Sequence, residues 1–96
     1  MPARPALTVD DRVVQNPDVV VAESDGELVL LSLERGRCYG MNRVGMSIWR
    51  RLQQPRKVAD VLGEVIAEFD APAAQAEPEA MAFLEQLQRE GLIAQG

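Results

Sequence analysis

The chain contains no histidine and a single cysteine, Cys38. A structural zinc site needs four Cys or His ligands, and nucleophilic catalysis by a thiol or hydroxyl needs a paired base, so neither can be assembled from these residues. A lone cysteine also excludes an internal disulfide. No run approaches the roughly 18–20 apolar residues of a membrane span, and the start, MPARPALTVDD, lacks the apolar stretch of a signal peptide. A cytoplasmic protein with no membrane partner is expected. A Gly-rich phosphate loop is missing as well, because Gly36, Gly40 and Gly45 do not open a helix in the required pattern. Glu64 and Glu68 are one turn apart, but they lie opposite the apolar stripe of their helix and read as solubilising charge rather than a paired acid and base. No enzymatic activity, cofactor or metal is expected.

What remains is the composition of a small soluble fold. Ninety-six residues, 47% of them hydrophobic, suit one domain with one modest core and no large enclosed active site. The net charge of −5 hides a strong asymmetry. Arg35, Arg37, Arg43, Arg50, Arg51, Arg56 and Lys57 follow one another without an intervening Asp or Glu, whereas the rest of the chain carries three basic residues against fifteen acidic ones. Such a basic stripe suits an acidic partner on one face, although solvated side chains on a helix leave the same signature.

Residues 1–17, with three prolines and no sustained period, read as a flexible N-terminal arm. Val19–Glu23 and Glu27–Leu33 are β-branched or aliphatic runs separated by Asp25-Gly26, a strong hairpin signal because both central residues of a type I′ turn need positive φ. Glu34-Arg35-Gly36-Arg37 offers a second turn, after which Cys38–Met41 forms a third strand whose far edge has nothing left to pair with. The arm is expected to mask the first strand in part. Asn42 suits an N-cap, and Val44, Ile48, Trp49 and Leu52 then share one face of a helix running to about Gln54, ahead of Pro55. Val58, Val61, Leu62, Val65, Ile66 and Phe69 define a second helix. Residues 71–76 read as a linker, and Pro78 as the N1 residue of a third helix whose apolar face is Ala80, Phe83, Leu84 and Leu87, ended by Gly91. The fold class is α+β: a three-stranded antiparallel sheet followed by three helices.

Alternation places Arg37, Tyr39 and Met41 on one face of the third strand and Cys38 and Gly40 on the other. Trp49 reads as core, Cys38 as a small strand residue without chemistry, and Tyr39 as the rim of a groove. A proline at Cys38 or Gly40 is expected to block strand addition at only one of the two.

The segment Leu30–Asn42, containing Gly36-x-x-Tyr39-x-x-Asn42, together with Ile48-Trp49 and the closing Phe83-Leu84-x-x-Leu87-x-x-x-Gly91-Leu92-Ile93, resembles the PqqD-like proteins, the family of peptide chaperones and RiPP precursor recognition elements. The likeness covers residues 18–93, taken as the peptide-recognition domain. Met41 stands where the family usually has Leu, a volume-conserving exchange. Lys57 stands where Thr or Ser often caps the second helix. The resemblance implies a winged helix-turn-helix-like domain that is a non-catalytic adaptor. Its partner would be the leader segment of a ribosomally made precursor peptide, added antiparallel to the third strand with apolar side chains entering the cleft beside the third helix. Carried onto this chain, the backbone of Arg37, Cys38, Tyr39 and Gly40 and pockets lined by Tyr39, Met81, Leu84 and Gln88 would form the peptide site. The glycine–tyrosine turn and Ile48-Trp49 look more like the discrete lasso peptide type, which serves a leader peptidase and a macrolactam synthetase. Pyrroloquinoline quinone chaperones, which serve a radical SAM enzyme, are the alternative. Two further readings stay open: a structural subunit of a larger enzyme, and a winged-helix DNA-binding protein. Against the latter, the third helix carries Arg89 alone beside Glu79, Glu85 and Glu90.

Overall fold

The structure, a computed structural model, describes residues 7–96. Its order is β1 (Arg12–Gln15), β2 (Val19–Ser24), β3 (Glu27–Ser32), β4 (Arg37–Met41), α1 (Arg43–Arg50), β5 (Arg56–Lys57), α2 (Val58–Phe69), α3 (Ala73–Arg89) and β6 (Ile93–Gln95). The α+β class expected from the sequence is what forms, with the three expected strands appearing as the antiparallel sheet β2-β3-β4. Asp25 and Gly26, at φ of 52° and 80°, make the tight turn between β2 and β3.

A second antiparallel sheet, ordered β5-β1-β6, corrects the reading of residues 1–17 as a flexible arm. Residues 1–6 fall outside the described structure, but Leu7 and Val13 are buried, and β1 pairs with Lys57 and Arg56 on one side and with Ile93–Gln95 on the other. Four residues are too short for their period to stand out beside three prolines, and their partners lie far along the chain. Because β1 is committed here, it does not mask β2.

The helix boundaries follow from where backbone groups find partners. Asn42 caps α1 as expected, its side-chain oxygen accepting the Gly45 N–H at 2.8 Å. The helix ends at Arg50 rather than Gln54, and β1 takes carbonyls at and beyond its end: Gln15 donates its side-chain amide to Trp49 and its backbone N–H to Leu52. Lys57 precedes α2 without a side-chain cap. The segment read as a linker is mostly helix. Pro72 is the N-cap of α3, its carbonyl accepting the N–H groups of Gln75 and Ala76, and Pro78 lies inside the helix. Ala73, Ala74 and Ala76 are strong helix formers, and they outweigh the one ladder bond that Pro78 cannot make.

One core joins the layers. Leu28, Leu30 and Met41 from the sheet meet Ile48 and Trp49 of α1, Leu62 of α2 and Leu84 of α3, all buried. The opposite sheet face is uncovered, with Val20 46% exposed.

Candidate peptide-binding groove

The register of the sheet decides which backbone groups are free. A two-residue turn is closed by a hydrogen-bonded pair, so Ser24 and Glu27 bond to each other. Along β3, Glu27, Val29 and Leu31 then bond to β2, and Leu28, Leu30 and Ser32 bond to β4. Their partners Met41, Tyr39 and Arg37 spend their N–H and C=O groups on β3. Cys38 and Gly40 therefore turn both groups outward, where no strand of the described chain pairs with them. The expectation that only one of the two would face outward is thus corrected, since residues two apart share an edge.

Beside this edge lies a groove floored by the inner face of β4 and walled by α3. At the Met41 end is a cavity of about 350 Å³, apolar in its depth, among Val44, Ile48, Ile66, Phe69 and Phe83. At the Tyr39 end is a smaller one of about 210 Å³, bounded by Tyr39, Phe83, Gln86, Leu87, Glu90 and Leu92. Gly40, Met41 and Phe83 line both, so Phe83 is the partition between them. Its ring rests on Gly45, where a Cβ would come within 3.1 Å of the ring edge, so a side chain there would displace Phe83.

Tyr39 stands at the rim, as the alternation indicated, and is half-buried. Its hydroxyl donates to Glu90 Oε1 at 2.5 Å, and Arg37 lies 3.6 Å from the same oxygen, which ties β4 to the end of α3. The Tyr39 hydrogen bond, with Arg37, Arg35 and Arg89 nearby, holds the Glu90 carboxyl below its ordinary range. The Tyr39 phenol is raised by the same bond.

Not all of the residues assigned to the groove from the sequence are found there. Arg37, Cys38, Tyr39 and Gly40 lie along the open edge, but Leu84 is fully buried in the core, and neither Met81 nor Gln88 lines either cavity. The outer wall is formed by Glu79, Phe83, Gln86 and Glu90, roughly 100–180° around the helix from Met81, Leu84 and Gln88, with Ala80 and Leu87 lining the cavities as well. Phe83 and Leu84 are adjacent in sequence and equally apolar, so only the position of β4 tells which is wall and which is core. The basic stripe is also thinner than its sequence. Arg51 binds Glu64 and Glu68 at 3.0 Å each, Arg56 binds Glu64, Arg50 binds Glu23, and Lys57 lies 3.8 Å from Asp10. Ser47 also donates to Glu68, at 2.5 Å. Glu64 and Glu68, read as solubilising charge, thus join α2 to α1. Arg35 and Arg43 are without an ion-pair partner among the described residues, and Arg37 has only the Glu90 carboxylate, at 3.6 Å.

An unpaired strand edge beside a helix-walled groove with apolar depths is a surface suited to an extended chain, whose backbone would pair while alternate side chains fill the cavities. The model of the family of coenzyme PQQ synthesis protein D (PqqD) matches residues 27–93, more than half of the sequence. The chain belongs to the PqqD family. A solved structure described as TbiB1 in complex with the TbiA(beta) leader peptide is similar, with a TM-score of 0.73 and 29% identity over 83% of this chain and 93% of that one. A search of curated proteins gives no match. Among the described residues no helix is long and apolar enough to cross a membrane, and no group of Cys, Asp and Glu could hold a metal ion.

Proposed function

We propose that this protein is a non-catalytic adaptor that binds the leader segment of a ribosomally synthesised precursor peptide along β4 and presents the remainder to modifying enzymes. The observation that carries this reading is the outward-facing backbone of Cys38 and Gly40 above the groove partitioned by Phe83. The likeness to TbiB1, whose structure contains a leader peptide, supports it. In this reading the leader runs antiparallel to β4, and main-chain bonds supply affinity while the cavities supply selectivity. The peptide-recognition domain extends beyond residues 18–93 to include β1. The pathway we assign is that of a lasso peptide, with a leader peptidase and a macrolactam synthetase as enzyme partners, on the glycine–tyrosine turn and Ile48-Trp49. Hand-off to a radical SAM enzyme is the second reading, favoured by the description of the family. DNA binding is disfavoured because exposed Glu77 and Glu79 lie on α3, whose one cation is Arg89.

The test is a fluorescence anisotropy titration with a leader of about 10–20 residues encoded beside this gene. Saturable binding with no turnover of the peptide is expected. Failure to bind it, with tight salt-dependent binding to duplex DNA, would overturn the assignment. Co-purification with the adjacent peptidase and synthetase, or with a radical SAM enzyme, decides between the pathways.

A further inference from the structure

Pairing through Cys38 and Gly40 fixes which side chains of an incoming strand enter the groove, because residues directly opposite each other share a face. The residues opposite Met41, Tyr39 and Arg37 point inward, in that order along an antiparallel chain and two residues apart. The first meets the larger apolar cavity beside Phe83. The second meets the smaller cavity between Tyr39 and Glu90. The third meets no cavity but an excess of positive charge. Arg37, with its side chain 66% exposed, has Glu90 as its one ion-pair partner among the described residues. Arg35 lies alongside, its Nε 3.4 Å from where a Cβ on Gly91 would stand. Neither Arg35 nor Arg89 has an ion-pair partner among the described residues, and both, with Arg37, help to hold the Glu90 carboxyl below its ordinary range. Glu34, in the turn, pairs with none of them.

We propose that this end of the groove reads a carboxylate side chain on the bound peptide, at the position opposite Arg37, with Arg37 and Arg35 as the specificity-determining residues. The inference rests on strand addition at β4. The recognised pattern is apolar-x-apolar-x-acidic, with the Asp or Glu four residues after the side chain that fills the Phe83 cavity. Arg37 can bond that carboxylate while Tyr39 retains Glu90, so the new ion pair adds to the existing contact instead of replacing it.

The experiment is selection of random peptides of about 12 residues, displayed on phage, against the full chain. Asp and Glu should be enriched at the fourth position after the first apolar residue. Selection on Arg37→Glu should lose that enrichment and favour Lys or Arg there, while keeping the apolar pair. For a selected peptide, changing the acidic residue to its amide should weaken binding about three- to tenfold to the parent protein and less than about twofold to Arg37→Gln. The Gln variant carries the comparison if Arg37→Glu fails to fold. An apolar pair with no acidic preference would overturn this inference and leave strand addition standing. An acidic preference that survives both substitutions would remove Arg37 as its reader. Recovery of no patterned peptide would fail strand addition itself, and this inference with it.

Discussion

β2 and β4 are the outer strands of one sheet, each leaving alternate backbone groups without a partner in the described chain, yet only β4 looks onto a groove. Around β4 lie Arg35, Arg37 and two cavities. Around β2 lie Asp18, Asp25 and Glu27, with Glu23 held by Arg50 and with Val20 and Val21 nearly half-exposed. Val19, which would face outward, instead donates its N–H to Asn16. The other sheet handles its edges differently: β5 and β6, flanking β1, are only two and three residues long. A free edge is therefore not by itself a site. What sets β4 apart is that α3 stands away from it far enough to leave cavities beside a row of free N–H and C=O groups.

Proline substitutions break this comparison with the largest expected effect. Proline removes an N–H and is tolerated on an edge strand where that N–H faces outward. Cys38→Pro and Gly40→Pro should each lower affinity for the leader peptide by on the order of a hundredfold, the loss of a bond plus the clash of the ring with an added strand. Val21→Pro, at an outward position of β2, should leave affinity within about twofold of the parent. Titration of all three, with circular dichroism to establish folding, measures this. Affinity equal to the parent's in the folded Cys38 and Gly40 variants would mean that the peptide binds elsewhere.

A smaller effect separates wall from core on α3. Phe83→Ala merges the two cavities and should cost about 1–3 kcal/mol of binding. Leu84→Ala, one residue on, should cost about 2–5 kcal/mol of folding stability and leave the affinity of the folded protein nearly unchanged. Urea unfolding and peptide titration on both variants give the two numbers for each. Reversal of the pattern would put the groove on the flank of α3 that carries Met81 and Gln88.

These two tests trace what was legible in the sequence. The β2-β3-β4 meander, the Asn42 cap and the α2 stripe are local patterns, and each could be read from adjacent residues. So could the free edge of β4, which follows from counting strands. The second sheet could not, because β1 finds its partners at residues 56–57 and 93–95. The flank of α3 that faces the groove was equally hidden, since Phe83 and Leu84 differ only in which neighbour they meet. The basic stripe misled for the same reason: Glu23, Glu64 and Glu68 are distant in sequence from the arginines they bind.

Salt sharpens the contrast between the edges more gently. Surface charges separated by more than about 10 Å are screened at 0.1 M salt. Raising salt from about 0.05 to 0.5 M should slow association of an acidic leader severalfold through Arg35, Arg37 and Arg43, with a smaller change in dissociation, because pocket-filling side chains hold most of the complex and only the pair at Arg37 lies within it. Stopped-flow rates at two salt concentrations check it. A salt effect confined to dissociation would leave Arg35, Arg37 and Arg43 no part in steering the encounter.

The smallest expected effect is the pH dependence of the tie between β4 and α3. The Tyr39 hydroxyl first, and then the arginines, hold the Glu90 carboxyl below its ordinary value, so its contribution to stability is complete above the usual carboxylate pKa of about 4.3. That contribution is lost as pH falls through the lower value of the folded state. On the alkaline side the sign reverses: the phenol is raised, so its share is complete below about pH 10 and is lost as pH rises through the folded value. Glu64 and Glu68 are lowered as well, the first chiefly by Arg56 and the second chiefly by the Ser47 hydroxyl, so they add to the acid loss from the contact between α2 and α1. Urea midpoints measured from pH 7 to pH 3 should therefore fall for the parent protein, and fall less for Glu90→Gln and for Tyr39→Phe. Glu90→Gln should lose the more of this acid dependence, because Tyr39→Phe removes the hydrogen bond but leaves the carboxyl beside Arg37, Arg35 and Arg89. If Tyr39→Phe keeps the full acid loss while Glu90→Gln does not, the arginines rather than the hydroxyl set the Glu90 carboxyl. In that case the tie beside the groove is an ion pair that an acidic peptide side chain can compete for.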